Sequence, residues 1–138
     1  MTRQERNVDV VRKLWSASSR GGTEAALALL DPNAEWRLHI APDQALTTDE
    51  LRSTLRRLER NRRVTTAHLS RVIAEGDVVL AVGSFRWTAD DGSMIDFPGY
   101  WVYELEDGKV TRGQSFKSRQ DAAEAFSVAA VASALQPD

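Results

Sequence analysis

The chain has 138 residues, a formal net charge of −2, 42% hydrophobic and 28% charged residues, and no cysteine. That length holds one hydrophobic core with little room for a second, and the composition is that of an ordinary globular domain. The absence of cysteine excludes disulfides, thiolate metal sites and thiol nucleophiles. With His39 and His68 as the only histidines, a histidine-rich metal centre is not expected, and a charge so near zero gives no general attraction to nucleic acid or to an anionic membrane. The first residues, Met1 to Asn7, are polar, and no apolar run approaches the roughly 20 residues of a membrane span. The expectation is a soluble cytoplasmic protein of one domain, residues 1–138, with no metal or cofactor and no nucleic-acid or membrane partner.

Thr2-x-x-Glu5 is a capping-box pattern, in which two backbone donors at a helix start find side-chain acceptors. Val8, Val11, Trp15 and Ser18 follow at helical spacing, and Arg20-Gly21-Gly22 ends the helix. A second helix, Thr23 to Leu30, stops before Asp31-Pro32. Ala34 to Ile40 alternates, with Trp36, Leu38 and Ile40 on one face and Glu35, Arg37 and His39 on the other, which predicts a half-buried strand broken by Ala41-Pro42-Asp43. Thr47-x-x-Glu50 is a second capping box, followed by the apolar stripe Leu51, Leu55 and Leu58. Beyond Asn61 four strands are predicted: Thr65 to Glu75, Val78 to Thr88, Met94 to Glu106 and Val110 to Lys117, turning at Gly76-Asp77, Asp90-Asp91-Gly92 and Asp107-Gly108. A last helix starts at Ser118, whose hydroxyl can cap it, and frays near Gln136-Pro137. Helices segregated from a run of hairpin-linked strands make an α+β domain.

The stretch from Gly99 to Ala125 resembles the terminal hairpin and helix of SnoaL-like domains in the NTF2-like superfamily. The same resemblance is carried by Val8-x-x-Val-x-x-x-Trp15 with Gly21-Gly22, by Leu30-Asp-Pro-Asn-Ala-Glu-Trp36, by Ala74-Glu-Gly-Asp77 and by Val102-Tyr-Glu-Leu-Glu-Asp-Gly-Lys-Val110. It covers nearly the whole chain. It implies a strongly curved antiparallel sheet wrapped around three to four helices as a cone with a pocket at its open end. The opposite sheet face carries Tyr100, Val102, Glu104, Arg112, Gln114 and Phe116, which reads either as solvated surface or, since relatives often dimerise through that face, as a homodimer interface, the reading that Tyr100 and Phe116 would favour if exposed side by side.

A strand's period of two assigns the faces. If Trp101 points into the cone, so do Gly99, Tyr103 and Leu105, then Gly83, Phe85 and Trp87, and then Gly113, Ser115 and Lys117. Trp36, Leu38 and Ile40 join from the first strand and Trp15 from the first helix. Two readings stand: a filled core, or a pocket for a small, flat, apolar molecule lined by Trp15, Trp36, Leu38, Phe85, Trp87, Trp101, Tyr103 and Ser115. Tyr103 is also a candidate hydrogen-bond donor to a ligand oxygen.

Enzymes of the superfamily that this chain resembles place carboxylates in the cone, where burial raises their pKa into the range of proton transfer. The positions matching the steroid isomerases hold Leu38 or His39, Leu14 or Trp15, and Trp101. Those matching the epoxide hydrolases hold Phe85, Trp87 and Ser115, and Ser118 stands where many members open the last helix with Asp. The remaining catalytic candidates are His39 as a general base or a rim residue, Lys117 as a buried amine or one that snorkels to the rim, and Asp96 at the pocket mouth or as a solvated strand-start residue. Arg52, Arg56, Arg57, Arg60, Arg62 and Arg63 form a basic cluster without stacking aromatics, better suited to a solvated helix face than to nucleic acid. The resemblance implies a cofactor-independent cyclase or isomerase acting on a polyketide-like or steroid-like compound by acid/base proton transfer. The alternative is a non-catalytic binding or dimerisation module without the family's carboxylates.

Overall fold

A computed structural model describes residues 1–19, 22–39, 41–60, 64–88 and 91–135, with side chains for all of these except 18, 19, 42, 58–60, 64, 65 and 87. The helix stop at Arg20-Gly21, Ile40, the side chain of Leu58, the arginines at 60, 62 and 63, the side chain of Trp87 and the frayed end at Gln136-Pro137 lie outside that description. The elements run α1 (Arg3–Ser19), α2 (Thr23–Leu27), β1 (Leu30–Leu38), β2 (Ala41–Leu46), α3 (Thr48–Arg60), β3 (Val64–Glu75), β4 (Val78–Thr88), β5 (Met94–Glu106), β6 (Lys109–Phe116) and α4 (Arg119–Leu135). No helix among the described residues is long and apolar enough to cross a membrane.

The helix starts form where local chemistry dictates. The Glu5 amide donates to Thr2 Oγ1 at 3.1 Å. The Thr47 and Glu50 amides donate to each other's side chains at 3.1 and 3.2 Å, a complete capping box. The Asp121 amide donates to Ser118 Oγ at 3.1 Å. The β5–β6 hairpin turns through Asp107 and Gly108, both at positive φ (51° and 78°), as a two-residue hairpin turn requires.

The six strands form one curved, open sheet in the order β2-β1-β6-β5-β4-β3. Helix α2 ends at Leu27 rather than Leu30, and β1 begins at Leu30 rather than Ala34, because Leu30 pairs with Val110 of β6. Two further departures concern the pairing of the sheet. An extra strand, β2, pairs antiparallel with β1 where Ala41-Pro42-Asp43 was expected to end the strand region. A proline is tolerated there because β2 is the sheet edge, where a missing N–H breaks no ladder on the open side. The second departure is the parallel pairing of β1 with β6. Most of the chain separates these two strands, so no tight turn has to join them.

The two faces of the sheet bury different clusters. On the inner face Val11, Leu14 and Trp15 of α1 pack with Ala26 and Leu27 of α2, Leu30, Ala34 and Trp36 of β1, Val79 and Ala81 of β4, Tyr103 and Leu105 of β5 and Val110 of β6. Buried Asn7 ties α1 to the β3–β4 turn, its Nδ2 donating to the Gly76 carbonyl at 3.1 Å. On the outer face Val78, Leu80, Val82 and Val102 lie under Ala122 and Phe126 of α4. Tyr100 and Phe116 were expected to be exposed side by side; instead both are half-buried against this second cluster, because α4 folds back over the sheet.

Candidate functional site

The inner face is built as alternation predicts: Gly83 and Phe85 on β4, Gly99, Trp101 and Tyr103 on β5, and Gly113 and Ser115 on β6 share one side. Rings fill it in contact with one another. Trp15 stacks on Phe85 at 4.8 Å, Phe85 on Phe97 at 5.6 Å and Trp101 on Tyr103 at 5.7 Å, while Trp36 meets Trp101 and Tyr103 edge-on at 6.0 and 6.3 Å. Two glycines let the indoles lie flat on the sheet. A Cβ at Gly113 would stand 2.1 Å from Trp36 Cζ3, and one at Gly83 would stand 2.2 Å from the His68 carbonyl oxygen and 2.8 Å from Trp15 Cζ3. No real Cβ makes such contacts, so the ring positions depend on the missing side chains.

Burial divides the expected pocket residues into two groups. Trp15, Trp36 and Tyr103 are only 3–4% exposed and Ser115 6%, whereas Leu38, Phe85 and Trp101 are half-buried. The first group is sealed within the core and the second is in partial contact with solvent. Trp15 Nε1 donates to the Tyr103 hydroxyl oxygen at 2.9 Å, which gives the indole N–H its acceptor inside the apolar cluster. Burial drives the Tyr103 phenol well above its ordinary pKa, and the Trp15 N–H offsets this only in part. Trp36 Nε1 is buried and finds no acceptor among the described residues.

His39 is exposed, but it reaches this face at its rim through Ser115, against the outward position that simple alternation assigns it. The β1–β2 register shifts between Arg37 and Leu38, and His39 is in a turn just past the strand end. Its backbone N–H donates to Ser115 Oγ at 3.0 Å, and its ring Nδ1 lies 3.0 Å from the same oxygen. Ser115 is paired with Trp101 across β5–β6, so His39, Ser115 and Trp101 are neighbours on one face. Leu38, expected inward, is half-buried and packs in neither apolar cluster, the counterpart of the same irregularity.

Asp96 and Lys117 are not brought to the inner face. Asp96 is paired with Arg86 on the outward parity of the β4–β5 hairpin, and Arg86 donates to both of its carboxylate oxygens, at 2.8 and 3.1 Å. Those bonds hold the Asp96 pKa below its usual value, so the group stays ionised. Lys117 is exposed just beyond the end of β6, where the alternating pattern no longer constrains it. The backbone of Trp87 pairs with Ile95. Of the basic cluster, Arg52 donates to Asp49 at 3.0 Å and Arg56 pairs with Glu24 of α2, so these arginines tie α3 to its neighbours.

The sequence reading passed over Phe97. It stands on the inner parity two residues before Gly99, stacks on Phe85 and is 39% exposed, extending the ring series toward solvent. Ile95, two residues earlier, is 59% exposed. Carrying the alternation two steps further toward the start of β5 finds both.

Residues 11–113 match the model of the SnoaL-like domain family. Among solved structures, a provisionally assigned polyketide cyclase from Xanthomonas campestris pv. campestris is 23% identical with a TM-score of 0.73, over 87% of this chain and 96% of that one. A provisionally assigned SnoaL-like polyketide cyclase from Jannaschia sp. CCS1 is 19% identical with a TM-score of 0.72, over 92% and 95%. IdmH from Streptomyces antibioticus, also a provisionally assigned polyketide cyclase, is 16% identical with a TM-score of 0.72, over 88% and 98%. At these identities the likeness is one of fold. No curated protein matches the sequence.

Proposed function

Because this chain belongs to the SnoaL-like domain family, we propose that it binds a small, flat, hydrophobic molecule at the open end of its aromatic inner face. It acts on that molecule as a cofactor-independent cyclase or isomerase, by acid/base proton transfer on a polyketide-like or steroid-like compound. The observation that carries this reading is the His39–Ser115 contact beside half-buried Trp101. It supplies one imidazole beside an otherwise aromatic setting, the composition of a small-molecule site.

Titration with flat phenols and ketones, followed by tryptophan fluorescence, tests the binding half. Saturable quenching, lost in Trp101→Ala, is expected; a flat response across the panel overturns it. Turnover lost in His39→Phe with binding retained tests the catalytic half.

A second reading is favoured by a separate observation: among the described residues no Asp or Glu is buried, so none of these takes the place of the carboxylates that enzymes of the superfamily hold in the cone. On that reading the domain binds without turning its ligand over. The His39→Phe comparison separates the two readings.

A further inference from the structure

We infer that Ser115 fixes neutral His39 as the Nε2–H tautomer, and that His39 thereby donates a hydrogen bond to a carbonyl or enol oxygen of the ligand. The inference rests on the binding reading above and assigns both a direction to the polar contact and an acceptor class to the ligand.

The argument is one of hydrogen-bond accounting. The Ser115 hydroxyl is buried, and a buried O–H needs an acceptor. Among the described residues its oxygen has two partners, the His39 backbone N–H and His39 Nδ1, both at 3.0 Å. A backbone N–H can only donate, so the hydroxyl accepts from it. Among the described residues the serine proton then has one place to go, the Nδ1 lone pair. A neutral imidazole that accepts at Nδ1 carries its own proton on Nε2. Nε2 lies on the side of the ring away from Ser115 and has no partner among the described residues. His39 therefore meets a ligand as a donor, and Ser115 is the residue that positions it.

Two further groups point the same way. Among the described residues the buried Trp36 Nε1–H finds no acceptor, and the Tyr103 oxygen accepts from Trp15, which leaves its own O–H proton to give. The polar tips of the inner face thus offer hydrogens. A flat ring system bearing carbonyl or enol oxygens complements them, whereas a donor-only amine leaves buried donors unpaired, the costly outcome.

The test uses three probes of one shape: 1-tetralone, which carries a carbonyl; tetralin, which lacks it; and 1-aminotetralin, which carries only donors at neutral pH. The wild-type chain is expected to bind 1-tetralone about tenfold more tightly than tetralin, the effect of about 1.4 kcal/mol, and to bind 1-aminotetralin no better than tetralin. His39→Phe should abolish the carbonyl preference, and Ser115→Ala should reduce it to about threefold, in line with a partly lost hydrogen bond, each read as the ratio of 1-tetralone to tetralin affinity within the same variant. An independent readout comes from NMR: the 15N shifts of the neutral His39 ring in the wild-type protein should report a protonated Nε2 and a bare Nδ1. Ser115→Ala should move the two shifts toward each other, a change that a merely structural role for Ser115 would not produce. An Nδ1–H tautomer in the wild type overturns the inference. So does equal binding of tetralin and 1-tetralone, which leaves the apolar pocket standing. If none of the three probes binds, the pocket reading falls and this inference falls with it.

Discussion

The two faces of this sheet are both covered, but by different means. The inner face is filled with rings laid over glycines, and its rings bring polar tips: Trp15 Nε1, Tyr103 Oη and Trp36 Nε1, beside Ser115 Oγ. The outer face carries Val78, Leu80, Val82 and Val102 under Ala122 and Phe126, aliphatic and aromatic carbon with no hydrogen-bonding tip among those side chains. Alternating residues of the same strands serve both. Sealing a sheet face takes only apolar area, as α4 provides. Recognition takes polar groups held in place within apolar surroundings, and these are concentrated on the inner side.

The sharpest way to break this contrast is Phe126→Ala. It removes the main cover of the outer face and should cost about 3 kcal/mol in urea unfolding, while the folded variant keeps the ligand affinity of the wild type. Equal losses of stability and affinity would mean that the faces are not independent. Gly113→Ala acts from the inner side. The new Cβ displaces the Trp36 ring, and the expected loss is about 2 kcal/mol, accompanied by a shifted Trp36 indole N–H resonance and weakened ligand binding.

The third test is alkaline. The folded-state pKa of Tyr103 is raised above its unfolded value near 10, so the folded chain holds a proton that the unfolded chain releases. Its contribution is fully present below about pH 10 and falls as pH rises beyond that. Tyr103→Phe should flatten this alkaline decline in melting temperature relative to the wild type. The smallest effect belongs to Asp96→Asn on the outward side of the β4–β5 hairpin. Its pair with Arg86 is exposed, and such pairs contribute little. Thermal melts at neutral pH should overlay those of the wild type, and ligand titrations should coincide. Its lowered pKa means that any contribution is present above the unfolded carboxyl value and is lost as pH falls through the folded one.

Much of the fold is legible because its determinants are local. The Thr47/Glu50 capping box, the Ser118 cap and the Asp107-Gly108 turn each depend on residues within three positions of one another. The inner set from Gly83 to Ser115 follows from period two alone. Where the reading failed, a partner remote in sequence had decided. Pro42 argued against a strand until the edge position of β2 made its missing N–H harmless. Nothing in the Ala-rich α4 has a directional stripe, so its side of the sheet was not readable from its own residues.

What the sequence by itself determined is the α+β element order, the single core and the aromatic face, since composition, spacing and turn residues act over a few positions. Tertiary structure alone decided that α4 closes the outer face and that His39, rather than Asp96 or Lys117, reaches the inner one. A strand's parity holds only while its register is unbroken. The shift beside Leu38 is set by pairing with β2, an edge strand that no local pattern places beside β1.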